Sequence, residues 1–329
     1  MGTRGIVGAA ATAVVLGLAG CGGSGGSGVA AIPTPPAGPA PNPTPTPSPT
    51  PTTSQITIFP APTPATYASV GASMPLKDET SSNGRFGTLS TADADQVHIR
   101  YTSNGTYEIE VPGKPWDTLI PIRGQSPPSE NYYQPSQTAQ NDAGLFTVPA
   151  RWAGYKYSEY GSWYSRETFR TGWVAFGIPT PAEAIPRSGS ATYGGNVHGS
   201  VDIMQTDPLS APFYYPTWVD GTVSLSFDFG AATLAGSMEL FAPDGMQPLK
   251  LGSFAFRNTV FSAGSQTYSG SFVTPEAGTN FFLGRFTGPG AEETIGAFAV
   301  PFRFTSSGGF VSPDNQVHTA VGAWVAKRP

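Results

Sequence analysis

The sequence is poor in cysteine and in charged residues, and both shortages constrain the fold. Cys21 is the single cysteine among 329 residues, so no disulfide can form within the chain and packing must hold it together. Charged residues make up 12% of the chain, whereas helical surfaces usually carry many Lys and Glu. No segment repeats apolar residues at helical spacing, so we expect an all-β protein with almost no helix.

The shortage of basic residues and histidines argues against nucleic-acid binding and metal binding. The net charge is −5, which gives no attraction to phosphate backbones and argues against nucleic acid as a partner. The three histidines, His98, His198 and His318, lack the spacing of metal ligands, so the sequence predicts no metal site and no cofactor. Nothing in the sequence points to a catalytic triad, and we predict a protein that is not an enzyme.

The N-terminus has the features of a bacterial lipoprotein signal. Arg4 precedes an apolar run, Ile6 to Leu18, that is too short to cross a hydrocarbon core of about 30 Å as a helix. The residues from Leu18 to Cys21 read Leu-Ala-Gly-Cys and resemble a lipobox. That resemblance implies removal of residues 1–20, a diacylglycerol on the Cys21 thiol and a further acyl chain, such as palmitate, on its amine. The alternative is an ordinary secretory signal with an incidental cysteine.

Residues 21–65 have the composition of a linker between this lipid and a folded body. The segment begins rich in Gly and Ser, and ten prolines then fall between Pro33 and Pro51. Proline favours an extended polyproline II conformation of about 3.1 Å per residue, so this stretch could span roughly 60 Å. It is either a stalk that holds a domain away from the membrane or a linker without a length requirement.

Residues 66–185 predict a small β-rich handle domain. Val97–Tyr101 and Tyr107–Val111 alternate apolar and polar residues on either side of Asn104-Gly105, which is the pattern of a β-hairpin. The aromatic stretch Tyr155–Tyr164 and the segment Gly172–Gly177 predict further strands.

Residues 186–329 predict a second domain, an eight-stranded antiparallel β-barrel. The alternation is sharpest where Val223, Leu225 and Phe227 share one face of a segment and polar residues share the other. Eight strands close a small barrel that is filled by its own side chains. The eight segments are 191–203, 222–229, 234–240, 250–258, 267–273, 279–286, 295–304 and 319–326.

Two segments resemble transferrin-binding protein B-like lipoproteins, a family of bacterial surface proteins. Ala191 to Gly195, Ala-Thr-Tyr-Gly-Gly, is similar to the first barrel strand of that family, and Gly284 to Phe298 is similar to its Gly-Pro-x-Ala-x-Glu element. Thr287 stands at a position where the family has an aromatic residue, and Ile295 stands at a glycine position. The chain has one handle-and-barrel unit, where the transferrin receptors have two lobes.

The resemblance implies a non-enzymatic lipoprotein of the outer membrane, at the cell surface or on the periplasmic face. It implies binding of an iron source, either an iron-carrier protein or haem, and transfer of that cargo to an outer-membrane transporter. Gly22, rather than an acidic residue, follows Cys21, as in lipoproteins released to the outer membrane. One alternative is a structural or adhesive surface lipoprotein that binds a non-iron protein partner. Another is a membrane-spanning barrel, against which the lipobox and the long linker argue.

Aromatic residues are the candidate binding residues. The segment from Gln205 to Trp218 predicts the longest loop of the barrel, and Phe213, Tyr214, Tyr215 and Trp218 are its candidate partner-binding residues, because aromatic anchors dominate protein interfaces. The alternative is that these rings cover the barrel mouth or the neighbouring domain. A haem or iron-chelate site that uses a tyrosine or His198 is a further alternative.

Glu292 and Glu293 are adjacent carboxylates and suggest an acid/base pair. Neighbouring residues of a strand point to opposite faces, so the two carboxylates would not act on one substrate. We expect instead that one of them accepts backbone amides near the preceding Gly-Pro-Gly turn or points to water.

Overall fold

The computed structural model describes the folded body in one compact unit, Thr53–Pro329. The described residues are 64–75, 97–121, 131–135, 143–148, 153–165, 167–168, 170–205, 215–242, 248–303 and 316–329. The predicted signal peptide, Cys21 and nearly all of the predicted linker lie outside them. Where the chain is described, the 3-10 helix Ala182–Ala184 is short, and no helix is long and apolar enough to pass through a membrane.

Nine antiparallel strands form the first sheet, which we call the handle sheet. They are β1 (Ala65–Thr66), β2 (Ala68–Pro75), β3 (His98–Tyr101), β4 (Tyr107–Glu110), β5 (Asp117–Pro121), β6 (Asn131–Pro135), β7 (Ala143–Val148), β8 (Ser158–Ser165) and β9 (Arg170–Gly177). Their order across the sheet is β1-β3-β4-β5-β6-β7-β8-β9-β2. The predicted hairpin is confirmed as β3 and β4, joined by a turn in which Gly105 has a φ of 78°.

The handle sheet curls until its two edges meet. Strands β1 and β2 lie at opposite edges, yet Tyr67 alone separates them in the chain. Ala65 and Thr66 pair with β3, Ala68 pairs with Gly177 of β9, and the Tyr67 amide donates to the Ile99 carbonyl at 3.0 Å. The curled sheet surrounds its own apolar core of Tyr67, Val97, Ile99, Ile109, Val111, Leu119, Ala143, Leu145, Tyr157, Trp163, Val174, Phe176 and Ile178.

Eight further strands form a closed antiparallel barrel, which confirms the predicted fold class. They are β10 (Ser190–Gln205), β11 (Tyr215–Asp228), β12 (Thr233–Ala242), β13 (Leu249–Val260), β14 (Thr267–Phe272), β15 (Phe281–Thr287), β16 (Glu293–Arg303) and β17 (Val317–Lys327). Each strand pairs with the next in the chain, and β17 closes the barrel on β10. The division of the chain into two domains at residues 185 and 186 stays a prediction.

The barrel interior is filled by its own side chains. On β11, Val223, Leu225 and Phe227 are buried inside, whereas the alternating Ser224 and Ser226 are exposed outside. This follows from the two-residue period of a strand. The interior is largely aromatic, with Tyr193, Phe227, Phe229, Phe261, Tyr268 and Phe286 in mutual contact towards one mouth and Phe272, Phe282, Phe298 and Trp324 in contact further along.

The outer faces of β16 and β17 pack against the handle sheet. Ile295, Ala323 and Val325 contact Tyr160 and Trp173 in one buried cluster. A second cluster joins Ala297, Ala299 and Val321 of the barrel to Ala72 and Met74 of the handle sheet. Strands covered on both faces become continuously apolar, and for this reason almost every residue of β16 and β17 is buried.

The Gly-Pro element that resembles the transferrin-binding protein B-like family lies at the junction between the handle sheet and the barrel. Glu293 is buried, and its two carboxylate oxygens accept the backbone amides of Lys156 at 2.7 Å and Tyr157 at 3.1 Å. Glu292 turns the other way and accepts the Gly290 amide at 2.8 Å. The prediction that one carboxylate accepts a backbone amide near the Gly-Pro-Gly turn is confirmed by Glu292, whereas the contacts of Glu293 with Lys156 and Tyr157 were not predicted.

Thr287, one of the two residues that depart from the family pattern, also belongs to this junction. The Thr287 hydroxyl lies 2.7 Å from the Ser158 hydroxyl of β8, and Thr287 pairs with Pro179 in the connector between β9 and β10. The Thr180 hydroxyl of the same connector donates to the Gly288 carbonyl at 2.7 Å. The hydroxyl group of Thr287 thus forms a hydrogen bond with the handle sheet.

Candidate functional site

The predicted loop from Gln205 to Trp218 is wrong at both ends. Gln205 ends β10, and Tyr215 to Trp218 begin β11, because the antiparallel ladder continues from Ser200 opposite Trp218 to Gln205 opposite Tyr215. The ladder passes Pro216 through a register shift between Val201 and Met204. Phe213 and Tyr214 lie outside the described residues, and Tyr215 is placed by its backbone alone.

Trp218 belongs to an aromatic patch where the handle sheet and the barrel meet. We define the patch as Phe146, Tyr160, Trp173, His198 and Trp218, one ring from each of the strands β7 to β11. The first three rings come from the handle sheet and the last two from the barrel. The patch therefore forms only when the two sheets pack together.

Trp173 is the buried centre of the aromatic patch. Its side chain is 1% exposed, and its indole Nε1 donates to the Ser200 hydroxyl of the barrel at 2.9 Å. The His198 ring stacks on it with a centroid distance of 6.0 Å and an interplanar angle of 19°. A buried indole with a satisfied N–H is a rigid support for the rings around it.

Trp218 packs against the handle sheet and remains partly accessible to solvent. Its indole meets Trp173 edge-on at 5.6 Å and Phe146 edge-on at 5.6 Å, yet the residue is 43% exposed. Thr217 and Val219 on either side are buried, so the alternation of β11 directs Trp218 to the outer wall. Trp218 therefore covers the neighbouring sheet, as one interpretation of the sequence expected, and leaves part of its ring exposed to solvent. Its role in binding a partner stays a prediction.

A carboxylate and an imidazole border the exposed indole. His198 Nδ1 lies 2.6 Å from the Asp220 carboxylate, and the Asp220 side chain is 68% exposed. The Tyr160 ring lies 5.1 Å from the His198 ring. Burial raises the pKa of the Tyr160 hydroxyl above its ordinary value of 10.0, and Glu159 and Asp220 add to that shift. Tyr160 is consequently neutral and contributes an uncharged ring.

The chemistry of this patch suits binding. Exposed tryptophan on rigid neighbours is the residue type that anchors protein partners, and Asp220 offers a charge at the rim. The carboxylate beside His198 Nδ1 favours a proton on that nitrogen and leaves the lone pair on Nε2 when the ring is neutral. In the described part of the chain, no three His, Cys, Asp or Glu residues are grouped closely enough to hold a metal ion.

Comparison with known proteins finds no matching family model and no matching curated protein. Among solved structures, the chain is similar to a double mutant of transferrin binding protein B from Haemophilus parasuis Hp5, with 16% identity, a TM-score of 0.41, and coverage of 79% of this chain and 44% of that one. It is also similar to transferrin binding protein B from serogroup B Neisseria meningitidis, with 14% identity, a TM-score of 0.40, and coverage of 79% and 43%. The chain therefore spans less than half the length of these proteins.

A third similar structure is HpuA from Kingella denitrificans in complex with human haemoglobin. The identity is 13%, the TM-score is 0.36, and 78% of this chain and 95% of that chain are covered. Two of these three structures are of transferrin binding protein B, which belongs to the family that the Gly-Pro element resembles.

Sequence reasoning found Trp218 and named His198, but it missed Phe146, Trp173 and Asp220. Asp220 could have been found, because it follows Trp218 by two residues and so shares the outer face of the same strand. Phe146 and Trp173 contact Trp218 only because the handle sheet packs on the barrel, and no local sequence pattern predicts that packing.

Proposed function

We propose that this chain is a lipid-anchored outer-membrane protein that binds an iron-carrying protein through the aromatic patch. The observation that carries the proposal is the position of Trp218, which is 43% exposed while two rings of the handle sheet hold its indole edge-on. A tryptophan that is already fixed loses little conformational freedom when a partner covers it, so more of its burial contributes to affinity.

Asp220 adds specificity to the proposed surface. Its carboxylate contacts His198 Nδ1 but is largely exposed, so it can pair with a basic side chain of the partner. Charges at the rim of an interface mainly raise the association rate and select the partner, whereas the buried aromatic centre supplies most of the affinity. The proposed surface thus has an aromatic centre and an acidic rim.

The iron source and the location are the finer parts of the proposal. The choice of iron rests on the resemblance of Gly284 to Phe298 to the transferrin-binding protein B-like family. Transferrin and human haemoglobin, named in the similar structures, are the carriers to try first. The lipid on Cys21 would hold the protein at the outer membrane, and the linker would carry the barrel outwards, from where cargo passes to a membrane transporter.

Binding of purified carriers tests this function. We would immobilise the full chain and measure binding of iron-loaded transferrin and of haemoglobin, with serum albumin as the control protein. We expect saturable binding of at least one carrier with a Kd of about 1 μM or tighter, which corresponds to roughly −8 kcal/mol. Binding of neither carrier above the albumin signal would overturn the carrier proposal and favour the structural or adhesive role.

Haem is a second candidate cargo, favoured by the contact between His198 and Asp220. A histidine that gives one ring nitrogen to a carboxylate is oriented to ligate iron through the other nitrogen. Titration of the full chain with haem should then shift the Soret absorbance band at one equivalent. His198→Ala should abolish that shift, and His98→Ala, the matched control in the handle sheet, should leave it intact. An unchanged spectrum on titration, or an equal shift in the His198 variant, would reject this candidate.

A further inference from the structure

A cleft of about 360 Å³ lies on the outer wall of the barrel, on strands that the aromatic patch does not use. It runs over β13, β14 and β15, with Val70 of the handle sheet along one side. Its volume falls within the range of small-molecule sites, roughly 300–1,000 Å³. The side chains that matter below are Val70, Val260, Thr267, Ser269, Leu283 and Arg285.

The pairing of three strands brings these side chains together. Ser269 of β14 pairs with Val260 of β13 and with Leu283 of β15, which gives one row across the wall. Thr267 pairs with Arg285 in the next row. Directly paired residues point to the same face of a sheet, and the alternate residues Tyr268 and Phe282 are buried in the barrel. The two rows therefore lie on the outer surface and form the floor of the cleft.

Arg285 is a partly buried cation without a counter-ion among the described residues. Its guanidinium Nε is buried and has no hydrogen-bond partner, and no carboxylate of the described residues forms a salt bridge with Arg285. By contrast, Arg100 pairs with Glu108, and Arg303 pairs with Glu276 at 3.1 Å. Because Arg285 lines the cleft and no described carboxylate neutralises it, its guanidinium group can pair with an anion that enters the cleft.

The walls of the cleft specify the rest of the ligand. Guanidinium groups bind carboxylates through paired hydrogen bonds, and the Thr267 and Ser269 hydroxyls lie beside Arg285. Val70, Leu283 and Val260, which is 66% exposed, offer an apolar surface next to this cation. We infer that the cleft binds a carboxylate carried on a small apolar body, with Arg285 as its counter-ion.

Fluorine NMR of a small acid tests this inference on the full chain. The probe is 4-fluorobenzoate, and uncharged 4-fluorobenzamide is its matched control. We expect saturable broadening and a shift of the benzoate resonance, and a response at least about tenfold weaker for the benzamide, because the ion pair supplies most of the selectivity. No response to benzoate, or an equal response to both probes, would overturn the inference.

Two variants connect the response to this cleft. Arg285→Gln should weaken benzoate binding at least about tenfold, whereas Arg257→Gln, an exposed arginine of the barrel that does not line the cleft, should leave it unchanged. Ser269→Trp should also weaken binding, because the larger side chain fills the cleft without a change of charge. Equal affinity in the wild type and the Arg285 variant would reject the site.

A second experiment with peptides distinguishes two sources of such a carboxylate, the C-terminus of a protein or peptide and a free metabolite. The probe is an acetylated Ala-Ala-Phe peptide with either a free or an amidated C-terminus. Stronger binding of the free-acid peptide than of benzoate would assign the cleft to the C-terminus of a protein or peptide. Stronger binding of benzoate would assign it to a free metabolite. Both results keep the carboxylate inference, provided that each depends on Arg285.

Discussion

The indole of Trp218 meets the indole of Trp173 edge-on, with ring centroids 5.6 Å apart and an angle of 82° between the ring planes. Trp218 belongs to the barrel and Trp173 to the handle sheet, so this contact joins the two sheets. Its outer partner is 43% exposed and its inner partner is 1% exposed. One pair of residues thus stabilises the junction and forms the centre of the proposed binding surface.

The first prediction concerns the coupling between these two residues. Trp218→Ala, Trp173→Leu and the double variant should give non-additive losses in the free energy of unfolding, with a coupling of about 0.5–1.5 kcal/mol, as is typical of aromatic pairs. Urea denaturation measures the three values. As a control, Trp116 stacks under Arg100 at 4.2 Å in the handle sheet, and Trp116→Ala should combine additively with Trp218→Ala. If the losses of Trp218→Ala and Trp173→Leu simply add in the double variant, the edge-on contact contributes nothing to the free energy of unfolding.

The second prediction concerns space inside the barrel. A Cβ atom added to Gly296 would lie 2.0 Å from the buried ring of Trp324, whereas a Cβ atom at Gly194 meets nothing within 4 Å. Gly296→Ala should therefore lower the free energy of unfolding by about 1–3 kcal/mol through overpacking. Gly194→Ala is the matched control and should be neutral or stabilising by up to about 1 kcal/mol. Equal effects of the two substitutions on the urea midpoint would contradict this packing.

The third prediction concerns pH and Glu293. Burial raises the pKa of the Glu293 carboxyl above its ordinary value of 4.5, although two backbone amides and Lys327 act in the opposite direction. The folded state then binds the proton more tightly than the unfolded state, so the contribution of Glu293 to stability is largest below pH 4.5 and falls as pH rises through the folded pKa.

Glu293→Gln removes this titration and provides the measurement. The stability of the wild type relative to the Gln variant should decrease as pH rises from about 4 to about 8. Gln also turns an NH₂ group towards one of the two amide donors, which should cost about 1–3 kcal/mol at every pH. A stability difference that is independent of pH, or that grows with pH, would show that burial does not control this carboxyl.

The fourth prediction concerns the lipid on Cys21. Cys21→Ser removes the thiol that the lipobox resemblance requires, so the variant should incorporate no radiolabelled palmitate and should partition into the aqueous phase of a Triton X-114 extraction. The wild type should be labelled and should enter the detergent phase. Substitution of Ser24 by Ala, three residues later in the predicted linker, should leave labelling unchanged. Equal labelling of the wild type and the Cys21 variant would disprove the anchor.

Local alternation made the barrel predictable from the sequence. On β11 the two-residue period separated Val223, Leu225 and Phe227 from the polar face, and the structure buries those residues inside the barrel. The number of barrel strands followed from the eight predicted segments, each of which corresponds to one strand of the barrel. The sequence did not explain why β16 and β17 are apolar on their outer faces as well. The reason is that the handle sheet covers those faces, and local alternation does not show this.

The handle sheet was less predictable, because its strands are short and one of its pairings is long-range. Strand β2 pairs with β9, with Ala68 opposite Gly177, and no local turn signals that contact. Strands β5 and β6 end on Pro121 and Pro135, which are residues that usually argue against a strand. The aromatic patch shares this difficulty, since Phe146 and Trp173 reach Trp218 only through packing of the two sheets.

Affinity for an iron carrier, measured for three forms of the full chain, tests whether the aromatic patch is the binding surface. The forms are the wild type, Trp218→Ala and the matched control Trp116→Ala, with circular dichroism to verify that each is folded. For the carrier that the immobilised chain captures, we expect Trp218→Ala to raise the Kd by about 30-fold or more, as for an interface hot spot of about 2 kcal/mol. Trp116→Ala should stay within about threefold of the wild type. Equal Kd values for the wild type and the folded Trp218 variant would contradict a binding surface at the junction of the handle sheet and the barrel.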